Sequence, residues 1–402
     1  VNTTGRETDS YPFGAAEKLQ LHPRYAELRQ DEPLLRVRMP FGGEAWLATR
    51  HEDTKTVLGD PRFSRAATVG KDVPRTVPVI SAGSTLLDKD PPEHSRLRRI
   101  ATKAFTVRRI EELRPRTQAV VDELLDRMVE SGPTADLAAS LAWPLPISVI
   151  CDLLGVPFAD RESFRGWTDA ALGLGADQVD AIVSARQHLG EYIAGLIAQR
   201  RVRPAEDLLT ALVAARDNED RLSEEELVQL GMTLLVAGHE TTANQIGNFV
   251  YTLLSQPEYW AQLVADPELV PAAVEELLRW VPLGTSGGGG GVRVATEDVE
   301  LGGQIVRAGE AVVVVMSSAN RDEAVFDHSE EIDFSREGNA HIAFGHGAHH
   351  CLGAPLARME LQLAIGTLVR RLPTLRLAVP ADEVPWRSQR VVRGVLALPV
   401  SW

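Results

Sequence analysis

One stretch constrains this chain more than any other. Residues 342–372 read IAFGHGAHHCLGAPLARMELQLAIGTLVRRL, and the second half has the apolar spacing of an amphipathic helix that begins just after Cys351. Glycines at 345, 347 and 353 surround that cysteine. A cysteine in a Gly-rich loop opening onto a helix N-terminus has its thiolate stabilised by backbone N–H groups and the helix dipole. The same N–H groups draw electron density from the sulfur and so tune a bound metal. Glycine lets the backbone pass close under a flat ligand where a side chain would collide. The loop therefore suits a metal macrocycle lying against it. The competing reading is a zinc or non-haem iron site built from His341, His346, His349, His350 and Cys351. That reading finds no second ligand group at matching spacing, and it gives Phe344 and the glycines no purpose.

Around this loop the sequence reads as a mainly α chain with small β-sheets, one α+β domain over residues 1–402. Val120, Val121, Leu124, Leu125 and Met128 recur on one helix face. Ser223 with Glu226 forms a capping box, and the long helix it starts stops before Gln256-Pro257. Strand patterns lie at the two ends: LLRVRM and EAWLAT early, VRVA, VELGGQIV and AVVVVM late. The run TSGGGGG, Thr285 to Gly291, is too flexible for a helix or a paired strand. No stretch approaches the roughly 20 apolar residues of a membrane span, and VNTTGRETDSYPFG lacks the pattern of a signal peptide. Two cysteines 200 residues apart make no disulfide framework and suit a reducing cytosol, so a cytoplasmic monomer is expected. A formal charge of −14 excludes nucleic acid as partner.

Within this acidic chain, His94 to Arg109 carries six basic residues and no acidic one, which points to a bound anion or an acidic docking partner. His94 and Arg98, four apart, share a helix face and reach the carboxylates of one anionic ligand. In the long helix, Ala237-Gly238-His239-Glu240-Thr241-Thr242 interrupts an apolar run, and such a break is where function is expected. A threonine hydroxyl there bonds back to the backbone and is expected to open the helix locally. Glu276 and Arg279, three apart, are placed to pair.

FGHGAHHCLG fills every fixed position of the pattern F-G-x-G-x-H-x-C-x-G, and on it the chain resembles the cytochrome P450 family. The resemblance implies the cytochrome P450 fold, a helical body enclosing haem b (iron protoporphyrin IX). Cys351 would be the metal ligand, Phe344 and Gly353 would shape its loop, and His349, His94, Arg98 and Arg293 would hold the propionates. Glu276 and Arg279 would hold Arg336 beneath the haem. AGHETT is similar to the family's oxygen-binding pattern, so Thr241 would position O2 and water while Glu240 relays protons. The implied activity is a monooxygenase that hydroxylates or epoxidises an apolar substrate. A ferredoxin and an NAD(P)H-dependent ferredoxin reductase would supply electrons, docked by Arg96, Arg99, Lys103, Arg108 and Arg109. A peroxide-driven oxidase and a non-catalytic haem-binding protein are the alternatives, and the Glu240-Thr241 pair speaks against the second. The wording YPFG, LLDKDPPEHSRLRR, ELLRWVPLG and HHCLGAPLAR looks most like actinobacterial polyketide-tailoring members, the mycinamicin hydroxylase/epoxidase type among them. A roomy substrate pocket is expected from Leu87, Leu235, Val236, Ala237, Leu283, Gly288, Gly289 and Val391, with residues 68–87 as a lid.

Overall fold

The long helix runs from Glu224 to Ser255, about 48 Å at 1.5 Å per residue, and the other helices gather round it. Its start is set by the expected box: the Glu226 N–H donates to Ser223 Oγ at 3.0 Å, and the Ser223 N–H donates to the Glu226 carboxylate at 2.9 Å. Three glutamates in its first turn face the positive end of the dipole. The helices Pro144–Leu154, Val179–Val202, Leu208–Asp217, Pro257–Ala265 and Ala354–Arg371 all pack on it. Close approach requires small residues at the crossings: a Cβ on Gly231 would lie 2.9 Å from Ile193, and one on Gly238 2.7 Å from Ile150. The computed structural model describes residues 8–14, 17–83, 85–102, 105–171, 178–217, 222–284, 291–388 and 390–402. Lys103 and the glycine run at 285–290, with Gly288 and Gly289, lie outside them. No helix among the described residues is long and apolar enough to cross a membrane.

One expectation fails here. The long helix does not open at Ala237–Thr242 but stays α-helical throughout. The reason lies in the hydroxyl itself: Thr241 Oγ1 donates to the Ala237 carbonyl at 2.9 Å from within the same turn and leaves the helix intact.

The expected strands form a six-stranded sheet beside the helical body. In order across it lie Asp9–Ser10, Leu34–Arg38, Glu44–Ala48, Ala311–Val314, Val292–Ala295 and Phe63–Ser64. The hairpin register pairs Leu34 with Ala48, and Trp46 lies parallel beside Val312. Arg293 opposes Val312 in the antiparallel pair, so the sheet fixes where that guanidinium starts. Val299–Leu301 and Gln304–Val306 make a separate hairpin.

The paired Glu276 and Arg279 are each 1% exposed. Arg279 donates to both Glu276 oxygens (2.9 and 2.7 Å) and to the carbonyls of Asn320 (2.9 Å), Ser329 (2.7 Å) and Glu331 (2.7 Å). Arg336 Nε reaches both Glu276 oxygens at 3.1 Å, and Asn339 Nδ2 donates to Glu276 at 3.0 Å. This one carboxylate therefore pins the irregular segment that leads into the Cys351 loop. Removing one partner of a buried pair leaves a buried charge uncompensated, at a cost of about 3–5 kcal/mol. Glu276→Gln should lower the unfolding free energy by that order in urea titration, and a loss below about 1 kcal/mol would contradict the pinning role.

Candidate active site

The cysteine loop is shaped by two left-handed glycines, Gly345 (φ 76°) and Gly347 (φ 68°). A Cβ on Gly347 would sit 2.5 Å from the Leu58 carbonyl oxygen, so only glycine fits there. The Cys351 N–H closes the loop by donating to the Phe344 carbonyl at 2.8 Å. Burial pushes the Cys351 thiol up, while the N–H groups of Gly353 and Ala354 and the cations Arg98 and Arg358 act the other way. Those N–H groups open the helix Ala354–Arg371, as the spacing required. The Phe344 ring lies 4.6 Å beneath the Arg358 guanidinium. Arg358 in turn donates to both oxygens of Glu275 (2.7 and 2.9 Å), which also meets His341 Nε2 at 3.0 Å. Burial alone would raise the Glu275 pKa, but His341 and Arg358 hold it down at about 2.

Next to the loop is a cluster rich in positive charge. The rings of His94 and His349 lie 4.2 Å apart, and neither Nε2 has a hydrogen-bond partner among the described residues although both are buried. Arg293 rises from the sheet, 3% exposed, beside Arg65, which donates to the Val292 carbonyl at 3.0 Å. Burial and then Arg65 lower the Arg293 pKa to about 9. Burial, then His94, Arg293 and Arg65, lower His349 to about 3. Asp90 opposes both shifts. One helical turn on from His94, Arg98 donates to the His350 carbonyl.

Orphaned imidazole nitrogens and crowded cations fit the carboxylates of an anionic ligand, and a lone cysteine under backbone N–H groups fits an axial thiolate. The site therefore fits haem. Among the described residues no three His, Cys, Asp or Glu side chains converge to chelate an ion, so the zinc reading lacks its ligand set.

On the long helix, Val236, Ala237 and Thr241 form a less buried face, whereas Glu240 is 1% exposed. Glu240 accepts from Arg387 Nη1 at 3.1 Å, and Arg387 also pairs with Asp169 and stacks 4.8 Å over Trp143. Leu235 is a correction. It is 0% exposed within the main core and does not line the pocket. Three- and four-residue spacing puts it with Gly231 and Gly238, the face that meets Ile193 and Ile150 and turns away from Ala237. Val391 lines a cavity of about 240 Å³ together with residues of the 68–81 loop. Leu283 is half-buried and Leu87 is 48% exposed, and neither of them, nor Val236 or Ala237, lines this cavity. Of the expected docking cations, Arg96 is tied to Glu226 and Arg108 to Glu112, while Arg99 and Arg109 are exposed. Arg65, Asp90 and Arg387 went unread in the sequence. Asp90 stands in the DPPEH run that was in view, but neither arginine carries a local signal.

The class that this fold and site define is a haem-thiolate oxidoreductase. Residues 178–390 match the family model described as Cytochrome P450. The chain is 54% identical to the nocardicin C N-oxygenase of Nocardia uniformis subsp. tsuyamanensis, over 99% of this chain and 100% of that protein. It is 50% identical to the mycinamicin IV hydroxylase/epoxidase of Micromonospora griseorubida, over 99% and 100%. A crystal structure of HinD with NMFT and NO superposes with a TM-score of 0.94 at 51% identity, covering 99% of this chain and 100% of that one. The chain belongs to the cytochrome P450 family: it is a monooxygenase of P450 fold whose cofactor is haem b.

The depressed Glu275 pKa carries a pH signature. A carboxylate held at about 2 against an ordinary 4.5 contributes stability that is complete above pH 4.5 and fades as pH falls toward 2. The contribution is about 3 kcal/mol at neutral pH, of which about 1 kcal/mol is gone at pH 3.5. The stability gap between the protein and Glu275→Gln should therefore narrow from pH 6 to pH 3.5 in denaturant titrations. A gap that stays constant or widens would contradict the assignment.

Proposed function

We propose that this protein hydroxylates or epoxidises an apolar secondary metabolite of the polyketide class, with electrons delivered by a ferredoxin and its NAD(P)H-dependent reductase. Haem, when bound, supplies dioxygen activation at an iron whose thiolate ligand favours cleavage of the O–O bond. Cys351 would provide that thiolate, and His94, Arg98, Arg293 and His349 would hold the two propionates. Relatives named for nocardicin C and mycinamicin IV support a secondary metabolite as substrate. The exposed Arg99 and Arg109 suit an acidic electron donor.

The observation that carries the reading is the adjacency of Glu240 and Thr241 on the long helix, one buried and one half-buried. The Thr241 hydroxyl donates to Ala237, which leaves its oxygen lone pairs facing outward to accept from water. Glu240 shares Arg387 with Asp169, so an arginine that moves toward Asp169 releases the Glu240 carboxylate, one residue before Thr241 on the helix. That oxygen then takes a proton from the interior and passes it through water held by Thr241. Replacing Thr241 with alanine should cut product formed per NAD(P)H consumed severalfold and release hydrogen peroxide instead. Coupling unchanged from the parent would rule out the proton-delivery role. Spin-state shifts of the Soret band across a polyketide panel would identify the substrate.

A further inference from the structure

We propose that the cavity under the 68–81 loop receives the carboxylate of an otherwise apolar substrate, and that Arg186 and Lys71 are the cations that receive it. The inference rests on the monooxygenase reading above and deepens it. The cavity, about 240 Å³, is walled by the loop, by the end of the helix Arg161–Ala171, by the first turns of Val179–Val202, by Val292 and by Val391. Among the described residues four cations line it, Arg65, Lys71, Arg75 and Arg186, and no aspartate or glutamate does. On a chain of net charge −14 such a lining runs against composition.

Two of the four cations are already engaged. Arg75 pairs with Asp72, donates to the Val73 carbonyl at 3.0 Å and lies 5.6 Å over Phe41. Arg65 donates to the carbonyls of Leu87 and Val292, both at 3.0 Å, with Asp88 at 3.7 Å. Arg186 and Lys71 make no hydrogen bond or ion pair among the described residues. Asp88, whose charge reaches Arg186, is occupied by the hydroxyls of Ser81 (2.7 Å) and Thr85 (2.6 Å). Arg186 and Lys71 are both exposed, so each is accessible to an incoming anion, and partial desolvation lowers the Arg186 pKa with Asp88 opposing. Most of the remaining lining is apolar, Val77, Val79, Ala171, Ile182, Val292 and Val391 among it, with the hydroxyls of Thr68, Thr76 and Ser81 between. A largely apolar chamber with two uncommitted cations selects an amphiphile with one anionic end.

The test compares 4-phenylbutanoic acid and dodecanoic acid with their methyl esters on the holoenzyme, reading dissociation constants from the shift of the Soret band. The acids should bind roughly tenfold or more tightly than the esters, the return of one charge-assisted pair. Arg186→Leu combined with Lys71→Met should erase that preference while leaving ester affinity and the reduced CO-bound spectrum intact. Acids that bind no better than esters would overturn the proposal, as would a panel that does not bind at all or a preference that survives in the double variant. A missing thiolate-type CO band would instead defeat the monooxygenase reading, so the two failures are distinguishable.

Discussion

The carboxylate of Glu276 is the point on which the rest of the site depends. Residues 320–341 contain little regular structure, and their carbonyls have no ladder to satisfy them. Arg279 takes three of those carbonyls and is itself neutralised by Glu276, while Arg336 and Asn339 bond the same carboxylate from the far end. Desolvating such a pair is expensive, so it persists only because nearly every donor and lone pair is used. The preceding residue, Glu275, points about 100° round the helix and meets a different pair of partners, His341 and Arg358. Two consecutive glutamates thus hold the chain before the cysteine loop and the helix after it. The loop hangs between them.

Holding the loop there brings basic side chains together. Arg65, Arg293, His94 and His349 crowd one end of the site against Asp90, and both Arg293 and His349 have pKa values driven down by burial and by their neighbours. Charge on these basic groups is thereby disfavoured, and the carboxylates of a dianionic ligand would favour it. Affinity for the folded state alone adds directly to stability, which couples cofactor retention to the fold as a whole.

The features that were legible in the sequence are the ones whose partners are close in sequence. The cysteine loop, the capping box at Ser223 and the strands at both ends each declare themselves within ten or so residues. Arg387 illustrates the opposite case. It reaches Glu240 across 147 positions, and nothing near residue 387 hints at an acid partner. Leu235 failed for another reason. The middle of the long helix is apolar on every side, so periodicity cannot say which leucine meets neighbouring helices and which meets the cavity. Only the glycines at 231 and 238, which admit Ile193 and Ile150, mark the packed face. The expected opening at Thr241 came from treating a hydroxyl bond to the backbone as a competitor of the helix, when here it is an addition to it.

The same long-range contacts join the acid to the helix Arg161–Ala171, whose end walls the cavity. Thr168 and Asp169 are consecutive near the end of the helix Arg161–Ala171, and His239 and Glu240 are consecutive on the long helix. Thr168 meets His239 Nε2 at 3.1 Å, and Asp169 reaches Glu240 through the shared Arg387. Arg390, next to the cavity residue Val391, adds a second cation to Asp169 at 3.2 Å. Movement of that helix must therefore break the Thr168–His239 bond and redistribute an ionic one in the same step. Because Arg387 is held on both sides, the loss of Asp169 would tighten its grip on Glu240, and the approach of Asp169 would loosen it. The position of that helix and the pairing of Glu240 are in this way coupled through one arginine.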